Sequence, residues 1–447
     1  MADSPKQPRP RHTLNLQLVA RALRHRNYRL FFSGQGVSLI GTWMTRVATA
    51  WLVYRLTHSA FLLGLVSFAS QIPILFLGPF AGVWVDRLNR HRVLVITQAL
   101  SMVESFALAA LALGHIITVT EIILLNLFQG AVNAFDMPAR QAFVIEMVED
   151  PQDLGNAIAL NSSLVNAARL IGPSVAGLLI AAVGEGSCFL IDGFSYLAVI
   201  ASLLAMTVVR TTTRRKKQSV FAELREGWDY VRGFRPIRSI LLLLSLISLV
   251  GMPYTTLMPI FAGNILHGGA HTLGFLMAAV GVGALAGAIA LAARESVLGL
   301  GRVLTITAAG FGMSLFFFSA SRQLWLSLLL LVVTGFCFMQ QMAASNTVLQ
   351  TIVDDSKRGR VMSFYAMSLQ GVAPFGSLIA GAAASRIGAP HTLMIGGALC
   401  VAGALLFALE LPTIRSLIRP IYIRLGVLPE IAAGIQAASA LQQPPED

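Results

Sequence analysis

Apolar stretches long enough to cross a hydrocarbon core, about 20 residues each, follow one another from residue 28 to residue 411. Only 210–236 interrupts them with a polar stretch of any length, so no room is left for a separate soluble domain. Of the 447 residues 12% are charged, and the mean hydropathy is +0.71, whereas a soluble domain carries about 25% charged residues. Lipid offers no partner to an unpaired backbone, so each stretch must be a helix, and the strand alternation of a barrel is absent. The spans read as 28–56, 60–85, 92–113, 119–138, 154–183, 187–209, 237–261, 272–293, 303–319, 324–348, 361–387 and 391–411. This predicts an all-α membrane protein, twelve transmembrane helices in two pseudo-symmetric six-helix bundles.

If both termini lie on one side, most of the 33 Lys and Arg residues fall there too. That side collects Arg9 to Arg29, Arg87, Arg90 and Arg92, the stretch Arg210 to Arg238, Arg294 and Arg302, Lys357 to Arg360, and Arg415 to Arg424. The positive-inside bias makes it the expected cytoplasmic side, and the membrane is expected to be a bacterial inner membrane. The net charge of +12 then meets anionic headgroups, and nucleic acid is not needed to explain it. The first apolar segment is too long for a signal-peptide core and lacks a cleavage pattern, so it is expected to stay. Cys188, Cys337 and Cys400 lack metal spacing, and no zinc-protease, nucleophile-elbow or phosphate-loop motif is present. Neither catalytic residue, metal nor cofactor is expected.

The domain reading is a cytoplasmic tail at 1–27, a bundle at 28–209, a linker at 210–236, a second bundle at 237–411 and a tail at 412–447. The linker carries Arg214-Arg215-Lys216-Lys217, then Phe221, Leu224, Trp228 and Val231 at helical spacing, the pattern of an amphipathic helix lying on the inner surface. Leu63-Gly64 recurs as Leu273-Gly274 and Arg92-Val93-Leu94 as Arg302-Val303-Leu304, both 210 residues on. Paired halves around a midplane site are the architecture of alternating-access transporters. Gly78 with Gly82, and Gly283 with Gly287, have the spacing that permits close helix approach.

Between the second and third spans runs a tight basic loop with one acid, containing Gly82, Asp86, Arg87, Asn89, Arg90, His91 and Arg92. It resembles the signature G-x-x-x-D-[RK]-x-G-[RK]-[RK] of the major facilitator superfamily. Gly82, Asp86, Arg87 and Arg90 match; Asn89 replaces the second glycine and His91 a basic residue. Shorter strings around Phe135 to Phe143, Asn156 to Ser162, Arg169 to Gly177 and Gly359 to Ser363 resemble the branch containing the enterobactin exporter and transmembrane secretion effectors. The resemblance implies the major facilitator fold and export. Gly172-Pro173 with Gly177 resembles the fifth-helix motif of antiporters, where Pro bends the helix and Gly admits a neighbour. One departure matters: many drug antiporters place Arg three residues before a Gln-Gly pair, and before Gln129-Gly130 this chain has Asn126.

An ionisable group at membrane depth costs about 2.5 to 3.5 kcal/mol on insertion scales. Arg46, Glu104, Arg169 and Asp192 pay that cost, with Asp136 and Arg140 near the inner end of the fourth span. Glu104, near mid-span, is a proton-carrier candidate or the partner of an Arg; Asp192 reads as an outer gate or ion-pair member. Arg46 and Arg169 either bind an anionic group or neutralise an acid. Gln35, Asn126, Gln129, Asn133, Asn161, Asn166, Gln340, Gln341, Asn346 and Gln370 are candidates to line a cavity for a bulky amphipathic substrate, or to bond helices together. Gly82, Asp86, Arg87 and Arg90, with Asp136, Arg140 and Glu146, read as a conformational latch at the inner face. In it Asp86 caps the helix near Gly359 and Arg90 reaches Asp136 or Glu146. The expected function is a monomeric, proton-coupled exporter of small amphipathic molecules. Uptake or lipid movement on the same fold is the alternative, and a membrane-embedded enzyme or a pore fits less well.

Overall fold

The computed structural model describes residues 21–85, 87–148, 150–207, 220–294, 296–354 and 357–425. Asp86, the run Arg214 to Lys217 and the ends before 21 and after 425 lie outside the described residues. The helices are α1 (Arg26–Thr57), α2 (Ala60–Val85), α3 (Arg90–Leu113), α4 (Val119–Met147), α5 (Leu154–Val183) and α6 (Glu185–Leu204). Then come α7 (Val220–Gly233), α8 (Arg235–Ile265), α9 (Ala270–Ala292), α10 (Leu300–Ala320), α11 (Leu324–Ile352), α12 (Arg358–Ile387) and α13 (Ala389–Arg424). Helices account for nearly all described residues, and no strand occurs among them.

Ten of these helices are long and apolar enough to cross a membrane by composition. The two long helices that fall short, α1 and α4, carry the interior charges Arg46 and Asp136 and the amides Gln35, Asn126, Gln129 and Asn133. A helix that faces a polar interior need not be apolar all round, whereas its lipid-facing neighbours must be. Leu409, Ile306 and Phe76 illustrate those outer faces, 78%, 69% and 65% exposed.

Two expected boundaries moved furthest. The fourth helix does not stop at Pro138 but continues to Met147, and α13 continues past 411 to Arg424. Both extensions carry charges, Arg140 and Glu146 in the first and Arg415, Arg419 and Arg424 in the second, so the uncharged run ends before the backbone hydrogen bonding does. In the linker, α7 carries Trp228 exposed and Val231 buried, and the side chains of Phe221 and Leu224 lie outside the described residues. Glu226 on it pairs with Lys357 and with Arg360, the latter at 2.5 Å, which ties the linker to the start of α12.

Within the first half α1 packs on α6 and α5, α2 on α4, and α3 on α6 and α4; within the second, α9 packs on α11, and α10 on α13 and α11. The halves join chiefly through α2 with α12 and α5 with α9. Those pairings interchange when each helix of the first half is exchanged for its counterpart in the second, the pattern of a pseudo-two-fold axis. The repeated Leu-Gly marks the crossing points. A Cβ at Gly64 would come within 3.0 Å of the Gly381 Cα, and one at Gly177 within 2.8 Å of the Gly274 Cα. Gly64 and Gly274 are the two repeated glycines.

Of the other glycine pairs, Gly283 and Gly287 pack against the α11 backbone at Val332 and Phe336, but Gly78 and Gly82 border open space. Gly82 is therefore not held by close packing here. Three π-turns interrupt the second half, at Ile247–Gly251 and Phe261–Ile265 in α8 and Met367–Gly371 in α12. Such turns leave carbonyls without helical donors, and Ser248 Oγ donates to the Leu369 carbonyl at 2.6 Å, linking α8 to α12 there.

Candidate functional site

The helices share two ends. The basic end holds Arg87, Arg90, Arg235, Arg358 and Arg424, and the opposite end holds the short turns at residues 58–59, 114–118, 266–269 and 388. At the opposite end Tyr54 Oη of α1 donates to Asn264 Oδ1 of α8 at 2.5 Å. These residues are 210 apart, so they meet across the pseudo-axis. The Gly64/Gly381 and Gly177/Gly274 crossings lie at the same end, and Phe68 meets Phe375 edge-on with centroids 5.8 Å apart further in. Each of these contacts between halves lies between the middle of the helices and the end opposite the basic residues.

Inside the first half, three helices bring hydroxyls to two carboxyls. Asp192 of α6, 1% exposed, accepts from Thr45 of α1 at 2.7 Å and from Ser105 of α3 at 3.1 Å. Ser195, one helical turn on, lies 3.3 Å from its other oxygen. Glu104, 4% exposed, lies 3.4 Å from the same Ser105 hydroxyl. One hydroxyl has one proton to donate, so Ser105 serves the two acids only by turns or as a shared bridge. Among the described residues neither carboxyl has a salt-bridge partner. Glu104 is therefore not the partner of a described Arg, nor Asp192 a member of a described ion pair, because helix rotation turns both inward and toward each other.

Toward the cleft between the halves, Arg46 stands over Trp43 at 4.8 Å from the ring centroid, and Arg169 stands over the same ring at 5.6 Å. Arg169 also lies 5.9 Å from the centroid of Phe338 in the second half. Gly172 sets this up: a Cβ there would come within 3.0 Å of the Ile40 carbonyl and closer still to Trp43, so α5 can lie against α1 at this level. Gly172 thus packs within the first half, while Gly177 and the Pro173 carbonyl meet Gly274 across the interface.

At the basic end, Arg90 pairs with Glu146 at 2.6 Å. Asp136, 5% exposed, pairs with Arg140 and accepts from Thr97 at 2.9 Å and Gln98 at 2.8 Å. Asn89 accepts from the Arg92 amide at 3.1 Å, capping α3 in place of the family's glycine. Arg87 is exposed, and Gly359 borders open space. The described ion pairs of the expected latch all lie inside the first half and do not bridge to the second, because the halves touch at the other end in this conformation.

The polar cavity candidates divide. Gln340 donates to the Gly287 carbonyl at 3.1 Å and Gln341 accepts from Thr307 at 2.8 Å; both are buried between helices of the second half, as Gln35 is buried in the first. Buried amides so bonded hold helices together and do not line a cavity. Gln129 donates to Ser101 at 3.0 Å, Asn126 bonds its own helix at the Ile122 carbonyl, and Asn133 is half-buried on α4. Ser105, Thr45 and the Tyr54–Asn264 pair are the members that sequence reading passed over. Only the last left a signal, the offset of 210.

Comparison with known proteins agrees with this architecture. Residues 20–420 match the family described as transmembrane secretion effector. The chain is 27% identical over 370 residues to the staphyloferrin A transporter of Staphylococcus aureus, covering 82% of this chain and 92% of that one. It is 26% identical over 366 residues to the multidrug efflux pump Tap of Mycolicibacterium fortuitum, covering 79% and 88%. A bacterial homologue of the lysosomal transporter Spinster, in an inward-facing unoccupied conformation, superposes with a TM-score of 0.69 at 14% identity, over 88% of this chain and 98% of that one.

Proposed function

The chain belongs to the transmembrane secretion effector family, among the transporters of the major facilitator superfamily, and from that premise we propose that it is a proton-coupled exporter of small amphipathic molecules working by alternating access. Export is favoured by a relative named as an efflux pump. The positive-inside bias makes the basic end cytoplasmic, so the contacts at the opposite end close the outer side and this conformation is open inward.

Proton coupling rests on one observation, the Glu104–Ser105–Asp192 constellation. Two carboxyls that share a hydroxyl at membrane depth, with no cation beside them, do not both hold charge cheaply. A proton entering from outside neutralises one of them and relaxes its hold on Ser105. Asp192 also accepts from Thr45, whose neighbour in the chain is Arg46, so the change is passed through α1 to the cleft. The outermost contacts include backbone against backbone at glycines and one Tyr–Asn bond, which part more readily than interdigitated side chains, with the Phe68–Phe375 ring contact further in. Asp86, Arg87 and Arg90 then act at the inner face once the halves rock together.

The test is accumulation of ethidium and, separately, of the anionic dye calcein in inverted vesicles energised by an imposed proton gradient, flux of either probe supporting the reading. Accumulation abolished by an uncoupler, and by Glu104→Gln with Asp192→Asn, is expected. Gradient-driven accumulation that survives both substitutions would remove these residues from coupling, and accumulation indifferent to the uncoupler would remove the proton altogether.

A further inference from the structure

The acid pair leaves a second group of charges unused. Arg46 and Arg169 come from different helices, yet their guanidinium groups cover one ring, Trp43. Among the described residues neither makes a hydrogen bond or an ion pair with the protein. Arg46 is exposed and Arg169 half-buried. The ring that Arg46 covers is shared with Arg169, which reaches Phe338 of the second half, so the exposed surface opens into the cleft and not onto lipid.

The nearby acids do not neutralise these cations. Glu104 and Asp192 are taken up by hydroxyls, and Asp136 by Arg140. The foremost charge acting on Arg46 is that of Arg169, another cation. Two like charges at membrane depth are costly, and aromatic faces offset only part of that cost. An anion repays far more, because each guanidinium fork gives a carboxylate two parallel hydrogen bonds. A third group supports this. Tyr254 of α8 is fully buried, its hydroxyl has no hydrogen-bond partner, and it lies in the field of Arg169. Among the described residues it is a buried donor without an acceptor, within electrostatic reach of a cation without an anion.

We propose that Arg46, Arg169 and Trp43, with Tyr254 behind them, form the binding site for a small molecule bearing two or more carboxylates and a planar or apolar part, so that the cargo is anionic and not a lipophilic cation. This rests on the transporter reading above and narrows its substrate class. The aromatic rings take the apolar part of the cargo, and the two arginines bind separate carboxylates.

The experiment is calorimetric titration of the full chain in phosphatidylcholine nanodiscs with benzene-1,3,5-tricarboxylate, and separately with tetraphenylphosphonium. Saturable tricarboxylate binding is expected, weakened about tenfold or more by Arg46→Gln or Arg169→Gln, which is about 1.4 kcal/mol each, and about threefold by Tyr254→Phe. Unchanged affinity in both arginine variants overturns the proposal. Should those variants fail to fold, Arg169→Lys and the wild-type preference decide it: tighter binding of the cation than of the tricarboxylate by the wild-type chain overturns it equally. Gradient-driven ethidium flux without tricarboxylate binding leaves the exporter standing and this site refuted, whereas tricarboxylate binding without gradient-driven flux of either probe does the reverse.

Discussion

The two halves are built on one plan and filled differently. Thr97 donates to Asp136 at 2.9 Å where α3 meets α4, and Thr307, 210 residues on, donates to Gln341 at 2.8 Å where α10 meets α11. The same joint carries a charged acceptor, with Arg140 attached, in the first half and a neutral amide in the second. The position 210 residues after Glu104 is Ser314, whose partners are neutral, the Thr334 hydroxyl and the Phe311 carbonyl, each at 2.9 Å. Where α3 and α6 meet over Glu104 and Asp192, the equivalent helices α10 and α13 meet backbone to backbone at Gly312 and Gly397. At these joints the repeated scaffold is charged in the first half and neutral in the second, a division of labour that the proposed coupling uses.

The sharpest way to break that comparison is to neutralise each half in turn. Glu104→Gln with Asp192→Asn should lower proton-driven flux about a hundredfold, equivalent to about 2.7 kcal/mol, while Ser314→Ala should change it less than about threefold. Equal losses in vesicle assays would mean that the division of labour is wrong. Next in size is packing. Gly397→Leu forces a side chain into the Gly312 carbonyl and should cost about 1 to 3 kcal/mol in thermal melts of the purified protein, with little change in the pH dependence of whatever transport remains.

The joint itself gives a smaller contrast. Asp136→Asn removes the partner of Arg140 and should destabilise by about 2 kcal/mol, against about 1 kcal/mol for Gln341→Leu, because bonds to charged groups are the stronger class. Paired melts of the two variants measure the difference, and no difference would say that charge in the first half is structurally idle. Smallest is an effect of acid at the basic end. Asp153 binds His25 at 3.0 Å and Arg21, and the His25 bond foremost holds its carboxyl below the ordinary value of 3.8. A depressed pKa contributes stability above the unfolded value that is lost as pH falls through the folded one. Melting temperatures of wild type and Asp153→Asn should therefore differ at pH 6 and converge as pH falls through the depressed carboxylate value, below 3.8.

Much of the fold was legible in sequence. Composition, span lengths and the Lys and Arg distribution pointed to a twelve-helix transporter, and the repeated Leu-Gly at 63 and 273 marked where the halves cross. The loop at Gly82 was legible as a family mark, but its role was not. Arg90 found Glu146 in its own half, and Gly82 met open space. The site was least legible of all. Glu104 and Asp192, 88 residues apart, were seen singly because nothing in linear order says that α3 and α6 turn toward each other. Gln340 and Gln341 looked like a polar lining because hydropathy does not register which way a side chain points.

Sequence by itself determined that this chain is helical, spans a membrane and is built twice over, since a bilayer admits few structures that satisfy every backbone group. Tertiary structure alone decided which charges meet. Each helix is free to rotate about its own axis until packing stops it, and here close contacts such as Gly172 against Trp43 and Gly177 against Gly274 set that rotation. Through it two acids came to share one serine, and two arginines one tryptophan.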